Sequence, residues 1–303
     1  MKKAFLTKTL FAASLAISIA FFNTAIAQTE ILKQKIETIS KEAQGIVGVG
    51  IMDLKTKETI LLNEDHKFPM QSVFKFPLGM AVMNQVDKGK LTLGQKVHVT
   101  KQELDPNTWS PLQKKYPEGN VDLTIEELIS YTVSQSDNNG CDILFKLLGG
   151  PKKVDEYIKS IGVKEMNIVA TEAEMSTGWD VQYTNWSRPS GMLKLLDTFY
   201  QSQKLSKPST DFLWKILNET TTGPNKMKGL LPKDAKVAHK TGQSGTNDKG
   251  IMAATNDVGI MTLPNGKQIA VVVYVSETPV DEKTRDGVIA QITKAAWDHY
   301  SIK

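Results

Sequence analysis

Ser72 and Lys75 stand three positions apart in the segment Gln71-Ser72-Val73-Phe74-Lys75-Phe76. Side chains at this spacing share one face of a helix, so a hydroxyl and an amine converge on one point. The amino terminus of a helix beginning at Ser72 adds free backbone N–H groups. Together these supply a nucleophile, a base for it and part of an oxyanion site, which is what acyl transfer through a serine requires. Burial among Met70, Phe74 and Phe76 is expected to lower the lysine pKa and favour the neutral amine of a base. The bland alternative is an N-capping serine followed by a lysine whose stem lies along apolar surface.

Two further short motifs bear on that choice: Ser136-Asp137-Asn138 between two helical segments, and Lys240-Thr241-Gly242 on a strand. Singly, each has a structural reading. Ser136 or Asp137 can cap the helix starting near Asn138, and Lys240 can be an exposed strand cation. In this order, at these separations and in these helix, loop and strand settings, the three motifs resemble those of the class A serine β-lactamases. The resemblance covers essentially the whole chain beyond residue 27. It implies that Ser72 is acylated by attack on the lactam carbonyl with Lys75 beside it. It also implies that the N–H groups of Ser72 and Gln243 form the oxyanion hole, and that Ser136 delivers a proton to the lactam nitrogen. Asn138 would bond the substrate's side-chain amide, and Lys240 and Thr241 would hold its carboxylate. Trp109, in Pro106-Asn107-Thr108-Trp109, falls where the family has an aromatic wall beside the bound rings; a packing tryptophan is the alternative.

An acyl-enzyme that persists is an inhibited protein, so a hydrolase also needs a base for water. The family carries it as a glutamate on a loop under the site, and within residues 169–186 both Glu172 and Glu174 compete for the role. The family's pattern of a glutamate followed three residues later by an apolar residue and then a polar one fits Glu172, Met175 and Ser176. This makes Glu172 the base and Glu174 a solvated loop charge, with Glu172 also implicated in acylation alongside Lys75. Three departures from the family stand out. Ser176 replaces an asparagine that helps hold the water. Ala170 and Asn185 replace an arginine–aspartate pair that closes the loop, so a different or wider loop is expected. Lys249 is aligned with an arginine on the strand after the carboxylate-binding motif and cannot make its planar fork. These substitutions are similar to those of the branch with cephalosporin-hydrolysing and extended-spectrum members. The rivals are a penicillin-binding carboxypeptidase or transpeptidase, which Glu172 argues against, and a β-lactam sensor, which a cleavable leader argues against.

The elements that must position these residues follow from periodicity. Apolar spacing predicts helices over 30–42, 72–88, 124–134, 138–148, 151–160, 187–202, 208–218 and 281–300, the third opened by a Thr124/Glu127 capping box. Strands are predicted over 47–53 and 58–62 as a hairpin, and over 235–241, 250–255, 258–263 and 268–276, the last pair joined by Pro264-Asn265-Gly266. Residues 98–122 and 166–186 are long irregular stretches of the kind that carry function. This order predicts an α+β fold in which both chain ends meet in one antiparallel sheet, flanked by N- and C-terminal helices, with an all-α lobe inserted. The family resemblance makes that sheet five-stranded. Residues 28–67 and 219–303 are assigned to the sheet lobe and 68–218 to the α lobe, with the site in the cleft between them.

Residues 1–27 have the form of an export signal: Met1-Lys2-Lys3, an apolar run from about Leu10 to Phe22, and Ala25-Ile26-Ala27 before Gln28. The run is too short for a stable anchor and no later segment can span a bilayer, so a secreted, periplasmic monomer of roughly 275 residues is expected. Subtracting Lys2, Lys3 and Lys8 from the formal charge of +4 leaves about +1. With only Arg188 and Arg285 beside dispersed lysines, no nucleic-acid face is indicated. Cys141, the single cysteine, excludes an internal disulfide and is expected to be a buried small hydrophobe. His66, His98, His239 and His299 lack metal-ligand spacing, and His239 should face away from Lys240. Met80 and Met83 belong to the core by their helical spacing. No cofactor or metal is expected; the partners are small β-lactam substrates.

Overall fold

The structure is a computed structural model that describes residues 27–301. The export signal expected over 1–27 lies outside the described residues, apart from Ala27. Helix α1 (27–40) leads into strands β1 (Ile46–Asp53), β2 (Thr59–Leu62) and β3 (Phe68–Pro69). Then come α2 (Lys75–Asp87), β4 (Lys96–Val99), α3 (Pro111–Lys115), β5 (Val121–Thr124), α4 (Ile125–Ser134), α5 (Asn138–Leu148) and α6 (Pro151–Ser160). Strands β6 (Met166–Asn167) and β7 (Trp186–Ser187) bracket α7 (Glu172–Met175), followed by α8 (Pro189–Tyr200) and α9 (Lys207–Asn218). The chain closes with β8 (Lys236–Gln243), β9 (Met252–Thr262), β10 (Gln268–Thr278) and α10 (Glu282–Ser301). Among the described residues no helix is long and apolar enough to cross a membrane.

The five-stranded sheet runs β2-β1-β10-β9-β8 and is antiparallel throughout, as expected. Its two faces follow from the alternation of side chains along a strand. Val271, Val273 and Val275 of β10 join α1 and α10 in one buried cluster. Ala270, Val272 and Tyr274 join the helices between β3 and α9 in the other. The Val47-Gly48-Val49-Gly50 repeat of β1 obeys the same rule. Its valines pack with α1 and α10, whereas a Cβ at Gly48 would stand 2.2 Å from the Phe68 ring and one at Gly50 would stand 2.8 Å from Leu193.

Three expectations are corrected. The predicted strands over 250–255 and 258–263 are one continuous strand, β9. Asn256 and Asp257 fall outside both predicted strands, but both are buried with partners: the Asn256 amide donates to the Pro69 and Met70 carbonyls, and Asp257 accepts from Met227 N–H. Residues 71–74 form a 3-10 turn, and the α-helix begins only at Lys75. The stretches 98–122 and 166–186 are not structureless, since each contains short strands paired locally and a short helix. Met80, Met83 and Cys141 are buried.

Candidate active site

Ser72 sits where the sheet presses against the start of α2. Val73 N–H donates to the Met70 carbonyl at 3.2 Å, a three-residue bond that tightens the turn. That carbonyl also accepts from Asn256, while Met70 N–H donates to Asn185 O at 2.9 Å. The close approach explains Gly242 on β8: a Cβ there would lie 2.5 Å from the Met70 carbonyl oxygen. Gln71, at φ 48°, turns its amide to donate to Gln182 Oε1 at 2.7 Å, tying the nucleophile turn to the 172–186 loop.

Lys75 is fully buried, and its Nζ lies among four oxygens. It donates to Ser72 Oγ at 2.8 Å, to the Ser136 carbonyl at 2.9 Å and to Asn138 Oδ1 at 2.5 Å, and it meets Glu172 Oε1 at 2.7 Å. Ser72 Oγ in turn donates to Glu172 Oε1 at 3.3 Å. Ser136, held in the left-handed region at φ 60°, faces two lysines, because its Oγ accepts from Lys240 Nζ at 2.8 Å. Lys240 is buried too, and burial first, then the nearby Lys75 ammonium, push its pKa well below the ordinary lysine value. Asp137, at the centre of its motif, has a structural task. It caps α5 through Gly140 N–H and accepts from Ser110 Oγ and Leu112 N–H, which fixes the loop carrying Trp109. Asn138 Nδ2 donates to Thr108 Oγ1 at 2.7 Å on that same loop.

The loop that carries Glu172 is anchored from three sides. Asp142 of α5 accepts from Glu172 N–H at 2.8 Å and Ala173 N–H at 2.9 Å, so a carboxylate caps the first turn of α7. Burial raises Asp142 to about 6 even though these two N–H bonds pull the other way. Glu174 is exposed, the solvated loop charge expected, and it also has a local task. Its carboxylate accepts from Thr171 N–H, while Thr171 Oγ1 accepts from Glu174 N–H, a capping box. The neck of the loop is closed in a way the Ala170 and Asn185 substitutions did not suggest. Asn185 Oδ1 accepts from Val169 and Ala170 N–H at 2.8 and 2.9 Å, and its Nδ2 donates to Ala170 O at 2.7 Å. A buried amide bonded to backbone does the work of a charged pair.

Ser72, Ser136, Asn138 and Glu172 open into one cavity of about 1060 Å³, also lined by Trp109, Ser176, Thr241 and Gln243. All ten residues singled out from the sequence thus meet at one place, with the two lysines behind the wall. Trp109 is 53% exposed at the cavity edge, its indole N–H donating to Gln135 O. Ser176 Oγ donates to Ala173 O. Lys249 is corrected: it is an exposed residue of the β8–β9 connection, and Thr255 is the strand residue opposite Gln243. The connection runs from Ser244 to Ile251, so spacing along the chain misplaced the strand start. His239 turns away from Lys240 as expected, its Nδ1 meeting the buried Asp257 carboxylate at 2.9 Å.

Three polar residues escaped the sequence reading. Asp142 lies four residues after Asn138, one helical turn along the same face, and that spacing was the available signal. Lys226 is buried at the cavity, its Nζ donating to Asp286 Oδ1 at 2.6 Å and to Gln243 Oε1 at 3.1 Å, and no local pattern marks it. Thr222 also lines the cavity. Among the described residues, no cluster of His, Cys, Asp and Glu is arranged to hold a metal.

A model of the Beta-lactamase enzyme family matches residues 30–300. Beta-lactamase VEB-1 of Pseudomonas aeruginosa is 47% identical over 289 residues, 95% of each chain. Extended-spectrum beta-lactamase PER-1 of the same species is 43% identical over 283 residues, 93% of this chain and 91% of its own. Among solved structures, a beta-lactamase from Chitinophaga pinensis superposes with a TM-score of 0.87 at 56% identity, covering 89% of this chain and 99% of that one.

Proposed function

The chain belongs to the class A β-lactamases, enzymes of antibiotic resistance, and from that premise we propose that it opens the lactam ring through a Ser72 acyl-enzyme, which water activated by Glu172 then releases. The observation that carries this reading is the triangle of Ser72 Oγ, Lys75 Nζ and Glu172 Oε1 at the cavity wall, with sides of 2.8, 2.7 and 3.3 Å. Ser72 Oγ attacks the lactam carbonyl carbon. Its proton passes to Glu172, or to Lys75 once that amine has handed a proton to the carboxylate, and the short contacts support either route. The N–H groups of Ser72 and Gln243 receive the developing oxyanion. Ser136 Oγ already accepts from Lys240, so its own proton is free to pass to the lactam nitrogen as the C–N bond breaks.

Lys240 and Thr241 hold the substrate carboxylate, Asn138 bonds the side-chain amide, and Trp109 forms one wall. The proton left on Glu172 returns by way of the lysines to Ser136, which has given its own to the lactam nitrogen. Glu172, again a carboxylate, takes a proton from water as that water adds to the ester carbonyl, with Ser176 beside it at the loop end. The proton passes to Ser72 Oγ as the acyl–oxygen bond breaks. The substrates are penicillins, cephalosporins or both. The same proposal places the site between a sheet lobe (28–67, 219–303) and an α lobe (68–218) of a monomer exported to the periplasm by residues 1–27. The test follows ring opening of a cephalosporin together with the intact mass of the protein. Ser72→Ala is expected to lose turnover by about 10⁴-fold or more and to gain no adduct. Retained turnover in that variant would contradict the proposal.

A further inference from the structure

The Thr241 hydroxyl has a hydrogen-bond partner of its own. Thr222 Oγ1 and Thr241 Oγ1 lie 2.5 Å apart, and both residues line the cavity. The contact is built in by several independent bonds. Thr220 Oγ1 donates to the His239 carbonyl of β8 at 2.7 Å, and Thr221 N–H donates to the Ser134 carbonyl at the end of α4 at 3.2 Å. Beyond Thr222 the chain turns at Gly223, whose φ of 61° suits glycine, and Lys226 N–H closes that turn on the Gly223 carbonyl at 3.0 Å. A Cβ at Gly223 would lie 2.8 Å from Thr241 Cγ2, so the turn is pressed directly against the residue in question.

A hydroxyl has one proton to give and lone pairs to accept with. If Thr241 spends its proton on Thr222, it turns lone pairs toward an incoming carboxylate and repels it. If Thr222 donates to Thr241, the Thr241 proton is left for the anion, and each bond polarises the next. We propose that Thr222 is a positioning residue that donates to Thr241 and thereby aims the Thr241 hydroxyl proton at the carboxylate of the bound β-lactam. This inference rests on the reading that Thr241 grips that carboxylate.

The test compares native protein, Thr222→Val, which keeps the shape without the hydroxyl, and Thr222→Ser, which restores it. Acylation of Ser72 is followed by mass as a function of concentration, for a cephalosporin and for its carboxylate methyl ester. Thr222→Val should raise the half-saturating concentration of the free acid about tenfold while the limiting rate stays within about twofold. Thr222→Ser should return it to near the native value, and the ester should not distinguish the three proteins. An unchanged half-saturation in Thr222→Val, or an equal change for the ester, would overturn the inference, the second outcome pointing to cavity shape alone. A native protein that is never acylated at Ser72 would remove the parent reading and this inference with it. A native protein that is acylated beside a silent Thr222→Val would remove this inference only.

Discussion

Lys240 has to be cationic to hold a carboxylate, yet burial and the Lys75 ammonium both favour its neutral form. As pH rises, the site should therefore lose its grip on anionic substrates at lower pH than an ordinary lysine would allow. KM measured against pH is expected to climb below the usual lysine range, whereas Lys240→Arg should carry no such limb because a guanidinium stays protonated. A flat KM in the native protein across that range would count against this role. At this scale the sequence was most legible for Ser72, Lys75, Ser136, Asn138 and Lys240, because reactive residue types recur at fixed spacings. Asp142 and Lys226 stayed hidden for a physical reason. A lone charge on a helix or loop normally belongs to the surface, and only tertiary contacts give these two their partners.

In the proposed reaction release of the acyl group depends on the loop of residues 169–186, which Asp142, Asn185 and the Gln71–Gln182 bond hold in place. Asn185→Ala removes three bonds to the backbone of Val169 and Ala170, and should cost about 2 kcal/mol of stability and slow deacylation more than acylation. Denaturant unfolding and single-turnover mass measurements check both parts; equal slowing of the two steps would argue against a specific effect on the loop. Asp142 gives a pH signature. Its carboxyl titrates at about 6 when folded against the usual 3.8. Between those values the folded chain keeps a proton that the unfolded chain releases, so this contribution to stability falls as pH rises through the window and is flat above it. The stability advantage of native protein over Asp142→Ala should shrink on the order of 2 kcal/mol between pH 4 and pH 7. An advantage that stays constant with pH would rule out the raised value. Elements were legible where periodicity ran unbroken, as in α4, α5 and α6. The reading faltered at Asn256-Asp257, where two polar residues inside a strand are bonded to Pro69, Met70 and Met227, partners distant in sequence.

At the scale of the molecule, the sheet separates two buried clusters, and α2 with its nucleophile turn is packed into the cluster on the side away from α1 and α10. The order of predicted elements, a helix and strands before the helices and strands and a helix after them, was enough to foresee one antiparallel sheet built from both ends of the chain. The closeness of that sheet to Ser72 was implied by the family resemblance alone and not by periodicity, because it depends on Gly242 and Asn256 meeting Met70. Cys141 offers a probe of the whole packing. It is fully buried, and burial raises its thiol pKa well above the ordinary value, so it should resist thiol reagents in the native protein. Labelling should be at least about a thousandfold slower than in denatured chain and should accelerate with denaturant in step with loss of sheet circular dichroism. Fast labelling before the sheet melts would mean that the helical cluster opens on its own.

In the proposed reaction Glu172, held by Asp142 and touching both Ser72 and Lys75, makes the difference between a protein that is acylated and an enzyme that turns over. The most direct test of that difference mixes native protein and Glu172→Gln with a cephalosporin and follows intact mass against time alongside ring opening. Rapid ring opening by the native protein with little adduct, and a persistent adduct on Ser72 in Glu172→Gln, is the predicted result. A native protein that stays acylated, or a Glu172→Gln variant that releases the acyl group as fast as native protein, would contradict it.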